Sequence, residues 1–413
     1  MTSALQASTP APVDAAGECT LVCPPPERRL PTVEDFRRVQ QLPIAQLFVV
    51  GRSGSSLVHA FLDGHPEVLH IPHTFKFYDF IATYPGILSR PAAEIARCFV
   101  ESPLVAHLMD SHESVIIGGR LGPEMQTYIR IDAERFCAAF VNVTGGAALT
   151  ERSLFVALVL TYGWCVGQDL ARVNVVLQHL HHGDWLFPER LLERSNYHPP
   201  LPEDRVQPLR ADKYVLSVRA PYDAFLAYVK FTGSHGLPPA ERLDLQEKFI
   251  RFLEQDWDRL AIIEASNVPH FVAHLEDFRW DAKAVMKDLA RFLGINPDLP
   301  CLHHLTYYGF AWHGDIYTEP STTVLKARPS RPIRWQERWI LDALVGPDAR
   351  RHGYRTGIVG PVKWKLLPWT VRFPAADLYD PSISSPDERR RGAEERASAR
   401  VTFARQLAAQ WPQ

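Results

Sequence analysis

The sequence predicts an α/β fold, in which helices flank a central, largely parallel sheet of about four or five strands. Two observations carry this prediction. Short apolar runs without charge, typical of strands buried on both faces, recur along the chain. Three of the four runs are followed by a turn and then by apolar residues at helical spacing. The 413 residues are enough for one large or two ordinary domains.

The first strand–turn–helix unit lies in "LFVVGRSGSSLVHAFLDGHPEV". The uncharged run "QLFVV" predicts a buried strand, and Gly51 and Gly54 predict a turn after it. Apolar spacing from Ser55 to Leu62 then predicts a helix, which "DGHP" ends. This stretch therefore predicts a strand, a small-residue turn and a helix in immediate succession.

Further strands are predicted in three stretches, and the third is followed by a helix ending at Gly294, a natural C-terminal cap. The stretches are "VNVVLQHLHHGD" (173–184), "KYVLSVRAPYDAFLAYVKF" (213–231) and "PHFVAHLEDFRWDAKAVMKDLARFLGI" (269–295). Residues 81–170 are predicted to form a mainly helical insertion. Its apolar stretch, 153–167, is too short to cross a bilayer and predicts a buried helix, so we expect no transmembrane segment.

The ends of the chain differ in composition from its middle. Residues 1–30 are rich in proline, alanine and threonine and have no continuous apolar core, so we expect a disordered leader. Residues 31–375 form the predicted α/β domain. Residues 376–413 form a charged C-terminal tail.

Charge and cysteine usage limit the partners and the compartment. The formal net charge of -2 provides no basic field, so we expect no nucleic-acid partner and only a local anion site. The 6 cysteines are widely spaced and include no CxxC pair, which favours the reducing cytoplasm. The oligomeric state stays open.

The turn "GRSGSS" is a candidate anion site. Backbone N–H groups of a small-residue turn at a helix N-terminus favour negative charge, and Arg52 adds a permanent planar fork of donors. Ser53, Gly54, Ser55 and Ser56 let an anion approach closely, and the serines add hydroxyls. The alternative is an ordinary turn with serine caps. The lysine of a nucleotide-hydrolysing loop is absent, which disfavours a motor or GTPase.

A second arginine, Arg219, follows the predicted strand "KYVLSV". Ligands of open α/β sheets bind at the carboxyl ends of the strands, so this arginine suits a second phosphate. The alternative is a surface arginine in an ion pair.

Taken together, these segments resemble the sulfotransferases that use 3′-phosphoadenosine-5′-phosphosulfate (PAPS), particularly the bacterial kind. Their order along the chain is the family's order, and they cover about residues 45–355. The matching segments are "RSGSS" (52–56), "DGHPEV" (63–68), "RAPYDAFLA" (219–227), "LEDF" (275–278) and "RFLGI" (291–295).

The resemblance implies a P-loop-like three-layer α/β domain with PAPS as co-substrate and no metal. Residues 52–56 would then hold the 5′-phosphosulfate, with Arg52 also acting in catalysis, and Arg219 would hold the 3′-phosphate. The family's aspartate and serine in the second segment are Ala220 and Ala227 here. Substitute donors are Tyr222, Tyr228 or the basic loop with Lys326, Arg328, Arg331 and Arg334.

Sulfuryl transfer needs a base for the acceptor's proton. The resemblance favours His73, in "VLHIPHTFKFYDF", and imidazole titrates near working pH. His179 and His181 are competing bases. The cluster His179, His181, His182 and Asp184 also allows metal binding, although one short cluster is weak evidence. Glu276 and Asp277 are interpreted as capping the following helix and bracing the first loop.

The expected activity is transfer of a sulfuryl group from PAPS to a hydroxyl of a glycan or small metabolite. Two alternatives stay open at this point. One is a P-loop kinase acting on a small molecule. The other is a non-catalytic nucleotide-binding or scaffolding relative, which Ala220 and Ala227 motivate.

Overall fold

A computed structural model describes residues 19–25, 27–72, 75–114, 121–180, 209–234, 238–313, 332–333, 335–357 and 387. The chain divides into two compact units. Unit 1 contains Met1–Phe48, Gly54–Ser217 and Val268–Lys326, and unit 2 contains Val49–Ser53, Val218–Asn267 and Ala327–Gln413. The sequence had predicted one domain over residues 31–375.

The central sheet has five strands and, apart from the last residue of two of them, belongs to unit 1. The strands of the described residues are β1 (Cys19–Cys23), β2 (Ile44–Val49), β3 (Val68–His70), β4 (Thr127–Ile131), β5 (Val175–Leu180), β6 (Lys213–Val218), β7 (His270–His274), β8 (Thr306–Tyr307) and β9 (Phe310–Ala311). The order in the central sheet is β3-β5-β2-β6-β7. The predicted α/β class with a parallel central sheet is confirmed.

Burial explains why the central strands lack charge. Every residue of β2 and of β5 is buried, so a charged side chain there would lose its hydration without compensation. The two strands pair in parallel from Ile44 opposite Val176 to Phe48 opposite Leu180. This register places the carboxyl ends of β2 and β5 at the same edge of the sheet.

Helices pack around this sheet and in unit 2. They are α1 (Val33–Gln40), α2 (Ser55–Asp63), α3 (Phe77–Thr83), α4 (Ala92–Val100), α5 (Ala106–Met109), α6 (Ala133–Thr144), α7 (Glu151–Cys165), α8 (Pro221–Ser234), α9 (Pro239–Glu264), α10 (Leu275–Leu293), α11 (Trp335–Leu344) and α12 (Gly346–Arg351). Helices α8, α9, α11 and α12 belong to unit 2.

The described residues of the insertion at 81–170 are mainly helical, as predicted, and they also contribute strand β4. Its apolar stretch forms α7, which is buried almost all round. Among the residues that the structure describes, no helix combines the length and apolar character needed to cross a membrane.

The predicted boundaries differ from the structure at the N-terminal end. Cys19–Cys23, within the expected leader, form β1 and pair in parallel with β4 of the insertion. The apolar run "CTLVC" explains this, because it buries Cys23 in the core of unit 1. Of the predicted C-terminal tail, only Asp387 lies within the described residues.

The helix cap predicted from sequence is confirmed. Helix α10 ends at Gly294, whose φ of 82° is left-handed and whose N–H donates to the carbonyl of Ala290 at 3.0 Å. Glycine occupies this position without the steric penalty that a Cβ would bring.

Candidate functional site

The loop between β2 and α2 has the backbone of a tight turn. Gly54 is the N-cap of α2 with φ 83°, and a Cβ there would lie 2.6 Å from Cδ1 of Leu275. Arg52 has φ 53°, which is uncommon for a residue with a side chain. Left-handed backbone outside glycine costs free energy and concentrates at functional sites, so Arg52 is a candidate on backbone grounds also.

The serines of the loop do not cap the helix that follows. The N-cap is Gly54, which has no side chain to offer, so Ser55 and Ser56 occupy the first positions of α2 itself. Ser53 and Ser55 are both buried, 1% and 4% exposed. This geometry disfavours the alternative in which the serines serve merely as helix caps.

Within unit 2, the loop is held by a buried carboxylate of α9. The N–H of Gly51 donates to Oδ2 of Asp256 at 3.0 Å. Asp256 is fully buried and pairs with Nη1 of Arg259 at 3.3 Å. A Cβ on Gly51 would lie 3.0 Å from Cε2 of Phe249, so any larger residue there would require the Phe249 ring to shift. The loop therefore has a fixed support.

The two arginines predicted from sequence meet in unit 2. Nη1 of Arg219, just after β6, donates to the backbone carbonyl of Arg52 at 3.4 Å. The guanidinium of Arg52 lies over the ring of Phe231, 4.5 Å from its centroid. Such a cation–π contact orients the planar group without neutralising its charge. Two permanent cations are thus brought to one loop from the ends of two neighbouring strands.

The proposed substitute donors on α8 have other roles. The hydroxyl of Tyr222 donates to Oδ1 of Asp342. Burial, then this carboxylate, raises the pKa of Tyr222 to about 12, so the phenol keeps its proton. Tyr228 stacks on Phe249, with ring centroids 4.1 Å apart and planes 7° apart. The donated hydrogen of Tyr222 therefore serves Asp342.

Several predicted groups lie outside the described residues. They are the preferred base His73, the competing base His181, its neighbours His182 and Asp184, and the basic loop with Lys326, Arg328, Arg331 and Arg334. Within the described ranges, no group of three or more histidine, cysteine, aspartate or glutamate side chains has the arrangement of a metal site.

One predicted candidate base, His179, belongs to a buried group that sequence reasoning missed. Its Nδ1 lies 3.1 Å from Nδ1 of His59 on α2. Nε2 of His59 lies 2.8 Å from Nδ1 of His70, at the end of β3. Nε2 of His70 lies 3.5 Å from Oδ1 of Asp63. Part of a signal was present, because Asp63 follows His59 by four residues, but the predicted helix ended before Asp63, whereas α2 includes it and so brings both residues to one face.

Asp63 is held at the end of this group by backbone donors. The N–H of Tyr308 donates to its Oδ1 at 3.0 Å, and the N–H of Gly309 donates to its Oδ2 at 2.8 Å. Burial raises the pKa of Asp63, while the nearby His70 and these hydrogen bonds oppose the rise. The carboxyl group can therefore accept a proton more readily than an exposed aspartate.

Comparison with protein-family models and with curated proteins gives no match for this chain. The protein is therefore defined by its parallel α/β fold and by two local features. In unit 2, a supported turn after a strand brings two arginines together. In unit 1, histidines form a buried group.

Proposed function

We propose that the protein transfers a sulfuryl group from PAPS to a hydroxyl of a glycan or a small metabolite and releases adenosine 3′,5′-bisphosphate. One observation carries the proposal: Arg219 donates to the backbone carbonyl of Arg52, so two guanidinium groups share one glycine-containing turn. A nucleotide with a phosphate at each end of its ribose is the kind of ligand that needs two separate permanent cations.

The turn supplies the features that the leaving group needs. Negative charge develops on the 5′-phosphate oxygen as the sulfur–oxygen bond breaks, and fixed donors lower the free energy of that state. Arg52 keeps its charge at any working pH. The N-terminus of α2, where Ser55 and Ser56 lie, favours negative charge through its free N–H groups and its dipole.

Rigidity of the support adds to this argument. Asp256 fixes Gly51, and Leu275 packs where a side chain on Gly54 would lie. Donors that are already in place need no reorganisation when the anion binds, which is the main source of electrostatic stabilisation in enzymes. The thinly spread cysteines favour a cytoplasmic location for this activity.

Ligand-dependent melting separates the proposal from its competitors. The purified chain is titrated with adenosine 3′,5′-bisphosphate and, separately, with ATP and Mg²⁺ while its melting temperature is followed. We expect the melting temperature to rise with the bisphosphate and to stay unchanged with ATP and Mg²⁺. A rise with ATP and Mg²⁺ alone would favour the kinase, and no response to either ligand would refute nucleotide-dependent transfer.

Catalysis is tested by a second measurement. A bisphosphate-binding protein that never releases bisphosphate from PAPS, with or without cell extract as a source of acceptors, would be the non-catalytic relative. The expected result is release of bisphosphate together with the appearance of sulfated products in mass spectra of the extract.

A further inference from the structure

Residues 19–25 and 27–31 of unit 1, which we call the strap, lie against the helical insertion of the same unit. The strap begins with β1, which pairs in parallel with β4 along its whole length. The N–H of Asp132, the N-cap of α6, then donates to the carbonyl of Cys23 at 2.8 Å. The strap ends where Thr32, the N-cap of α1, follows it.

Side chains of the insertion bind the strap by its main-chain carbonyl groups. The guanidinium of Arg135, on α6, donates to the carbonyls of Pro25 and, at 2.6 Å, of Arg28. Nε1 of Trp164, near the end of α7, donates to the carbonyl of Arg29 at 2.8 Å. These donors and acceptors are between 107 and 135 positions apart in sequence, so tertiary packing brings them together.

Two further hydrogen bonds extend the same pattern. Nδ2 of Asn142 donates to the carbonyl of Pro31 at 2.5 Å. Because Asn142 lies about two helical turns after Arg135, both side chains project from one face of α6. In the opposite direction, Nη2 of Arg28 donates to the carbonyl of Gln168, just after α7, at 2.7 Å. Both helices of the insertion therefore hold the strap.

The indole of Trp164 is the point where the strap and the insertion meet. Cζ of Arg135 lies 5.5 Å and Cζ of Arg28 lies 5.9 Å from the centroid of its ring. Such cation–π contacts orient the planar guanidinium groups. One of these arginines belongs to the strap and the other to the insertion, and each donates to a main-chain carbonyl of the opposite segment.

This mode of binding is that of an extended peptide in a groove, in which main-chain hydrogen bonds hold the segment and a few side chains fix its register. Cys23 is 2% exposed and belongs to the core of unit 1, and Leu30 packs against that core. On the other side of the strap, Val22 is 56% exposed, and Glu27 and Arg29 are exposed as well. The strap therefore lies at the surface with one side against the insertion.

A surface segment that is held in this way can open locally. Strands β1 and β4 form a sheet of two strands, and two strands alone are marginally stable in water. Within the described residues, one peptide bond, to Thr32, joins the strap to the rest of unit 1. In β2, by contrast, every residue is buried. Segments with few buried apolar contacts open at a lower free energy than the core does.

We propose that the strap is an internal peptide ligand of the insertion, which leaves its groove while α6 and α7 stay folded. Opening uncovers the thiol of Cys23 and the side-chain donors on α6 and α7, so the groove then accepts an extended main chain. The occupant is the strap of the same chain, because its link to α1 keeps it at a high local concentration. This inference does not depend on the proposed sulfuryl transfer.

Hydrogen exchange of the full chain, followed by mass spectrometry, tests the local opening. Peptides from β1 should exchange at least about 100-fold faster than those from α7, and urea below the unfolding transition should not change the β1 rate. Arg135→Ala should accelerate exchange in β1 by about 10-fold and leave α7 unchanged, because two charge-assisted hydrogen bonds are lost. Arg152→Ala is the matched control, since Arg152 on α7 donates to the carbonyl of Leu42 at 3.0 Å, outside the strap, and it should leave β1 unchanged.

Two results of this experiment would overturn the proposal. If β1 and α7 exchange at a common rate in both proteins, the segment opens only together with the core. If Arg135→Ala leaves the β1 rate unchanged, the carbonyl contacts do not hold the strap. Should Arg135→Ala not fold, Asn142→Leu removes one of these contacts and is expected to accelerate β1 exchange by about 5-fold.

Alkylation of Cys23 with iodoacetamide is an independent measure of opening. In the natural chain it should be at least about 100-fold slower than that of the half-buried Cys137, and Arg135→Ala should raise it about 10-fold. Equal rates for both thiols would show that the strap does not dock, and labelling of Cys23 only in unfolding concentrations of urea would show that it does not open. Rates that depend on protein concentration would identify the strap of a second copy as the occupant. Each of these three results would overturn the proposal.

Discussion

The arginine turn of unit 2 and the histidine chain of unit 1, which consists of His179, His59, His70 and Asp63, contain different kinds of polar group. At the turn, Arg52 and Arg219 carry charges that no accessible pH removes, and a buried aspartate holds the backbone beside them. In the histidine chain, three imidazoles and the carboxyl group of Asp63 contact one another through buried nitrogen and oxygen atoms. Permanent charge suits an anion that must always be held, whereas the histidine chain joins buried polar groups of the sheet and of α2 within unit 1.

The two regions also differ in how they are supported. The turn relies on one buried ion pair and on glycines that permit close packing. The histidine chain relies on contacts between neighbouring side chains and on two backbone N–H groups that donate to Asp63. Disruption of the turn should therefore lower stability or ligand affinity at every pH. Disruption of the histidine chain at Asp63 should change the pH dependence of the free energy of unfolding.

The largest effect on the free energy of unfolding should come from replacing Asp256, the carboxylate that supports the turn. Asp256→Asn replaces the buried carboxylate that faces Arg259, and we expect the free energy of unfolding to fall by about 3 kcal/mol. Asp288 and Arg291 are a matched exposed pair, with the same spacing on α10 and a distance of 2.6 Å. Asp288→Asn should cost at most about 0.5 kcal/mol. Urea unfolding measures both, and equal losses would contradict a special role for Asp256.

Removal of the Arg52 guanidinium should weaken ligand binding and leave the fold unchanged. Arg52→Ala is expected to weaken adenosine 3′,5′-bisphosphate binding by about 2 kcal/mol, or roughly 30-fold, because charge-assisted hydrogen bonds are lost. Arg52→Lys should give an intermediate affinity, since it keeps the charge without the planar fork. Calorimetry provides the constants, and Arg291→Ala is the control. Equal affinity in folded Arg52→Ala would remove the turn from the donor site.

A smaller effect separates packing from ligand binding within unit 2. Tyr222→Phe deletes the hydrogen bond to Asp342 and should lower the free energy of unfolding by about 1 kcal/mol. Because that hydroxyl already serves Asp342, bisphosphate affinity should change less than about 2-fold. Melting curves and calorimetry on one preparation test both statements. A large loss of affinity would make Tyr222 a replacement for the missing serine at Ala227.

The smallest expected effect is a change in the pH dependence of the free energy of unfolding when Asp63 of the histidine chain is replaced. The pKa of Asp63 is raised by burial, so the folded chain holds its proton more tightly than the unfolded chain does. Its contribution to stability is therefore full below about pH 4 and is lost as pH rises through the folded-state pKa. Asp63→Asn should remove this loss. Urea unfolding at several pH values gives the difference between the two proteins, and a difference that does not vary with pH would contradict the assignment.

Local patterns predicted the parts of the molecule that depend on neighbours in sequence. The strand of "QLFVV", the turn at Gly51 and Gly54, and the cap at Gly294 follow from residue types that few other conformations accommodate. Burial also made α7 predictable from its composition. The strand at Cys19–Cys23 was missed because surrounding proline and alanine outweighed five apolar or β-branched residues.

The candidate site was predictable only in part. Arg52 and Arg219 were identified by their places after predicted strands, and the structure adds the hydrogen bond that joins them. His59 lies in the helix predicted from Ser55 to Leu62 and Asp63 in the "DGHP" that ends it, and nothing in the local pattern says which side chains oppose them. His70 lies in the stretch "VLHIPHTFKFYDF", whose local pattern gives it no partner.

Periodicity and the conformational limits of single residues are enough to predict the alternation of strands and helices, the small-residue turn and the two arginines at strand ends. Long-range packing establishes the other contacts: Asp256 supports the turn, Tyr222 donates to Asp342, and His179, His59, His70 and Asp63 contact one another in series. A hydrogen bond between residues 120 positions apart, such as His59 and His179, forms only when the packing of sheet and helix brings them together, and no local pattern encodes it.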